Sequence, residues 1–102
     1  MMNILDATES ARVATNEFLR LRGENSMGCG FAWVIVKGAR GKQATALKNI
    51  GFRKRYDGPG LSLWNPSGSM TQDMDAKYAG AEACAEVLRK IGYEAYADCR
   101  LD

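Results

Sequence analysis

The chain has no histidine. That removes Ser–His and Cys–His nucleophile pairs, histidine general bases and almost every catalytic zinc arrangement, because each needs an imidazole to move a proton or hold the metal. Cysteine is scarce, and Cys29, Cys84 and Cys99 are odd in number and widely spaced. Such a set makes neither a disulfide framework nor a CxxC metal site, and it suits a reducing compartment. No apolar run approaches the roughly 18–20 residues of a bilayer span. The opening MMNILDATES lacks the basic start and apolar stretch of a signal peptide. A cytoplasmic location is therefore expected, with no membrane contact. An enzyme here would have to work with carboxylates, Lys, Tyr or a bare Cys, so the expected class is a non-enzymatic binding module without a cofactor.

What is present suits one folded domain. The 102 residues are 46% apolar and 25% charged, which is globular rather than disordered and too short to divide into two cores. Asp6-Ala7-Thr8-Glu9 has the form of a capping box with Asp6 as N-cap. Beyond it Ala7, Ala11, Ala14, Phe18 and Leu21 make one apolar stripe, predicting a helix over 6–22 stopped by Gly23. The continuous run Phe31 to Val36 is apolar on both faces and predicts a central strand over 31–37. A second helix follows over 42–50, with Ala46, Leu47 and Ile50 inward. A hairpin over 52–64 turns at Asp57-Gly58-Pro59-Gly60. Thr71 or Asp73 caps a long helix over 73–91, whose inner face carries Ala76, Gly80, Ala83, Cys84, Val87, Leu88 and Ile91. The last strand, 93–99, turns Ala95, Ala97 and Cys99 to one face and Glu94, Tyr96 and Asp98 to the other.

An internal echo supports this layout. Ala46-Leu47-Lys48-Asn49-Ile50-Gly51-Phe52 matches Val87-Leu88-Arg89-Lys90-Ile91-Gly92-Tyr93 in residue type at nearly every place. Each is a helix end, a glycine and an aromatic that opens a strand. Two such copies fit the halves of an α+β fold: an N-terminal helix followed by a βαββαβ ferredoxin-like two-layer sandwich. The plainer reading is that Leu-x-x-Ile-Gly is a common helix stop.

Charge is unevenly spread. Between Asn25 and Tyr56 lie seven basic residues, Lys37, Arg40, Lys42, Lys48, Arg53, Lys54 and Arg55, and no acid. From Thr71 onward seven acids face four bases. Cations interleaved with aromatics are the ingredients of a phosphate-tracking, base-stacking surface, with Trp33, Tyr56 and Trp64 as stacking candidates. The alternative is a solvated charged face with its aromatics inside. Trp33 in particular, among apolar neighbours, is expected in the core. Gly38-Ala39-Arg40-Gly41-Lys42, between strand and helix, could hold an anion on backbone N–H groups or be a plain glycine turn. Cys29, between two glycines, is expected as an exposed thiol, whereas Cys84 and Cys99 are expected as small buried hydrophobes.

Three resemblances bear on this. Gly28-Cys29-Gly30-Phe31-Ala32-Trp33-Val34 is similar to the aromatic strand of RNA-recognition motifs, but Met27 stands where that strand has a basic residue, and the segment lies on the first strand rather than the third. Gly38 to Gly41 resembles the Gly-x-x-Gly clamp of KH domains, but joins a strand to a helix rather than two helices. Ala46 to Arg53, followed by a hairpin ending Leu61-Ser62-Leu63-Trp64, resembles a unit of small accessory proteins of bacteriophages and plasmids. This last covers about a quarter of the chain and implies context, with the host cytoplasm as location, rather than activity. The expected partners are nucleic acid or an acidic host-protein surface reached through segment 37–55. The alternative is a modulator or inhibitor of a host protein working through a protein interface, with homodimerisation open, and a third reading is an enzyme acting through Cys29 or carboxylates.

Overall fold

The first helix begins one turn earlier than its apolar stripe suggests. In the computed structural model, which describes residues 2–24, 28–55 and 57–101, α1 spans Ile4–Arg22. Asn3 is its N-cap: its Oδ1 accepts from the Leu5 N–H at 2.9 Å, and its own N–H donates to Asp6 Oδ2 at 2.8 Å. The capping box is thus Asn3–Asp6, not Asp6–Glu9, and Glu9 pairs with Arg12 on the exposed side instead. The buried residues of α1 are Ala7, Ala11 and Thr15. Leu21, expected inward, is 71% exposed; in that last turn it is the neighbouring Arg22 that faces α3, where it pairs with Asp73.

The chain then forms β1 (Gly30–Lys37), α2 (Lys42–Asn49), β2 (Arg53–Lys54), β3 (Leu61–Trp64), α3 (Met74–Ile91) and β4 (Glu94–Leu101). The four strands make one antiparallel sheet in the order β2-β3-β1-β4. β1 is central, as its unbroken apolar run requires. β2 is shorter than the expected 52–56. Phe52 leaves the strand for the core, where it is fully buried, and Tyr56 lies outside the described residues.

Core residues alternate along β1: Ala32, Val34 and Val36 cluster with Ala7 and Ala11 of α1, Leu47 of α2 and Ala81, Cys84, Ala85 and Leu88 of α3. All three helices therefore contribute to one core on a single face of the sheet. α3 packs on both the sheet and α1, so it buries Ala81 and Ala85 beyond the expected stripe, while Ile91 at its end is 37% exposed. Its Gly80 permits the close approach of α1. A Cβ there would stand 2.3 Å from Thr15 Oγ1 and 2.9 Å from the Ala11 carbonyl. Thr15 Oγ1 meanwhile donates to the Ala76 carbonyl at 2.7 Å.

The start of α3 is anchored to the end of α1. Asp73, fully buried, accepts from the Ala76 N–H at 3.1 Å as N-cap and pairs with Arg22. Glu24 receives the Thr71 hydroxyl and the Gln72 N–H. Cys29, expected exposed on a loop, is half-buried, and its backbone bridges to Asp73. Among the described residues no helix is long and apolar enough to cross a membrane.

Candidate nucleic-acid interface

With the helices all on one side, the other face of the sheet stays open. The thinnest extent of the Cα trace is 17 Å, enough for a sheet and one helix layer but not for a third layer, which would add about 10 Å. Period-two alternation puts Phe31, Trp33, Ile35 and Lys37 of β1 on that open face. Cross-strand register sets Trp64 opposite Trp33 and Ser62 opposite Ile35, with Arg53 opposite Ser62 on the far side. From β4, Arg100 stands opposite Phe31, Asp98 opposite Trp33, Tyr96 opposite Ile35 and Glu94 opposite Lys37.

Trp33 is therefore not a core residue. A central strand is apolar on both faces, but it is its even-numbered side chains, Ala32, Val34 and Val36, that enter the core cluster with the helices. Its ring lies 4.9 Å from that of Trp64, centroid to centroid, with the planes 33° apart. Phe31 meets Trp64 edge-on at 5.7 Å. Supported from two sides, the Trp64 side of the cluster still faces water: the residue is 54% exposed. Ile35, on the same face, is only 2% exposed; its register neighbours are Ser62 and Tyr96, over whose ring Lys37 Nζ sits at 5.4 Å.

A groove of about 530 Å³ opens beside the tryptophan pair and is lined by Trp33, Trp64, Arg53, Lys54, Arg55 and Arg100, with Asp57 the one acid among its described lining residues. Arg53 Nη1 donates to the carbonyls of Phe52 at 2.9 Å and Lys48 at 3.4 Å, which tethers it at the C-terminal end of α2. Arg55 donates to the Pro59 carbonyl at 3.2 Å and faces Asp57 at 3.5 Å, so the hairpin turn holds its guanidinium. Arg100 lies 5.7 Å from the Phe31 ring centre. Lys77, from α3, approaches the same ring at 5.5 Å and donates to the Gly30 carbonyl at 2.9 Å.

The basic segment does not act as one block. Arg53, Lys54 and Arg55 line the groove together with the tryptophans, Lys54 from the register position opposite the core residue Leu61. Lys48 is exposed at the end of α2. Lys37 sits at the other end of β1 beside Glu94, in a separate shallow cleft with Gly38, Gly92 and Tyr93. Arg40 and Lys42 are exposed on the glycine turn and line neither hollow. Tyr56, the third stacking candidate, lies outside the described residues. Arg100 was not legible as a member, because the last strand is expected to stop at 99 and its half of the chain is acidic. Continuing the alternation Tyr96, Asp98, Arg100 by one step would have placed it on the same face.

Burial alone pushes the Cys84 thiol up to about 12. Cys99 is also raised, first by burial and then by the carboxylates of Asp98 and Asp75. Both are protonated thiols at neutral pH. Among the described residues no group of three or more His, Cys, Asp or Glu side chains is placed to hold a metal ion. No family model matches the chain, and neither a curated protein nor a solved structure matches it significantly.

Proposed function

We propose that this chain is a non-enzymatic nucleic-acid-binding module whose contact surface is the open face of the sheet. The observation that carries the reading is the half-exposed Trp64, packed on Trp33 in a groove that four cations also line. Phosphate contacts supply affinity through counterion release, and an exposed, supported indole offers a base a flat apolar face. Asp57 is exposed and leaves the rim with a clear positive excess.

The finer description of the fold belongs to the same proposal. The order β4-β1-β3-β2, with α2 joining β1 to β2 and α3 joining β3 to β4, supports a ferredoxin-like arrangement. In it α1, rather than the eight-residue α2, lies along α3. The phage or mobile-element context rests on the resemblance of Ala46–Arg53 and the hairpin closed by Trp64.

The test is an anisotropy titration against labelled oligonucleotides in rising salt. Four engaged cations predict log K falling against log salt with a slope of about −3. Replacing Arg53, Arg55 and Arg100 together by Gln should bring that slope near −1 and weaken binding by tenfold or more. Absence of binding to any nucleic acid at low salt overturns the proposal.

A further inference from the structure

Resting on that reading, the geometry points to a more specific ligand: we infer that the open face takes single-stranded nucleic acid in preference to duplex, with an unpaired base on Trp64 and the flanking phosphates on Arg53, Arg55 and Arg100. Three observations carry it.

The first is the state of Trp64. It is 54% exposed, yet it is held at 4.9 Å by Trp33 and edge-on by Phe31. A stacking platform fixed before binding loses little side-chain freedom when a base arrives. A duplex cannot use it, because the faces of its bases are already stacked on one another and only their edges reach the grooves.

The second is width. The cations flank the tryptophans from opposite sides of the sheet, Arg53 on β2 and Arg100 on β4. Three inter-strand spacings separate those strands, about 14 Å. The major groove of B-DNA, about 12 Å wide, admits a helix or a two-stranded ribbon. A four-stranded sheet presented by its face does not enter it. A single strand, by contrast, can lie across β3 and β1 with its phosphates at the two margins and its bases turned down to the indole.

The third is the direction set by charge. Glu94 and Asp98 occupy the β4 side of the open face, Asp98 opposite Trp33 and next to Arg100 along the same face of the strand. They repel a phosphate backbone from β4 between Lys37 and Trp33, which leaves Arg100, beyond them, as the contact on that side. The favourable track runs from Arg53 and Arg55 past Trp64 to Arg100. That track is short, so the strand it takes is a few nucleotides long, at the lower end of the roughly 4–16 nucleotides that a single OB-fold barrel takes.

The test uses the whole chain with mixed-sequence oligonucleotides of about 12 nucleotides, as DNA and as RNA, each single-stranded and as a matched duplex. Single strands should bind at least tenfold tighter and should quench tryptophan emission. Trp64→Ala should weaken single-strand binding by roughly 5- to 150-fold, the range that one base–aromatic stack is worth, and leave duplex affinity unchanged. Trp64→Phe should recover most of the loss, and circular dichroism of both variants checks that the sheet persists. Equal or tighter duplex binding without quenching overturns this inference and leaves the nucleic-acid reading standing. So does a Trp64→Ala variant that binds single strands as the parent does. Failure of both forms to bind at low salt removes both.

Discussion

At the scale of single residues, two side chains that do opposite things set the character of the molecule. Trp64 keeps a large apolar surface in water, and Gly80 keeps even a methyl group out of the core. The absence of a side chain at Gly80 lets α1 settle against α3 closely enough for Thr15 to reach the Ala76 carbonyl. Gly80→Ala should therefore destabilise the protein by about 1–2 kcal/mol: overpacking against Thr15 and the Ala11 carbonyl costs roughly 2–3 kcal/mol, partly offset by about 1 kcal/mol of better helix propensity. Urea unfolding checks it, and an unchanged or higher midpoint would show that the two helices can separate cheaply. Residue chemistry also decided what was legible. The small residues of both helices are visible in the sequence, but Gly80 appears there only as one more small residue on an inward face. Which atom it must avoid depends on Thr15, sixty-five positions away.

At the scale of elements, the clearest regularity is the repeated helix stop. In one copy the Phe52 N–H donates to the Leu47 carbonyl at 3.1 Å, and in the other the Tyr93 N–H donates to the Leu88 carbonyl at 2.9 Å. The intervening Gly51 and Gly92 both take positive φ, 113° and 122°, the region where a side chain is penalised. Such a stop is local, which is why it is readable in sequence. The start of α3 is not local, since Asp73 depends on Arg22 from another helix. Asp73→Ala should cost about 2–4 kcal/mol, combining a lost N-cap with an ion pair broken on its buried side. Arg22 is partly exposed, which keeps the cost from rising higher. Asp73→Asn preserves the acceptor for the Ala76 N–H and should cost less than half as much. Equal losses in chemical denaturation would mean that the charge, rather than the cap, holds the element.

At the scale of the whole molecule, the one-sided core gives stability and contact surface to opposite faces of one sheet. The core side carries a pH signature. Cys84 has an ordinary thiol value near 9 and is pushed by burial to about 12. Below pH 9 folded and unfolded thiols are both protonated, and the contribution to stability is whole. Between about 9 and 12 the unfolded thiol ionises while the buried one does not, so stability falls with rising pH by up to about 1.4 kcal/mol per unit. Burial raises Tyr78 and Tyr93 in the same sense. Urea midpoints at pH 8 and pH 10.5 should show the loss, and Cys84→Ala should flatten it; an equally steep slope in that variant would place the ionisation elsewhere. What the sequence alone determined is the order of elements, the central place of β1 and the helix stops, because these follow from periodicity and from backbone chemistry within a few residues. Only the tertiary structure decided which face of β1 the helices cover. All three pack on the even-numbered side, which turns Trp33 from an expected core residue into the half-buried support of the exposed Trp64. It also joins Arg53 and Arg55 to Arg100 across the sheet, a meeting of distant residues that cross-strand register brings about and local pattern does not encode.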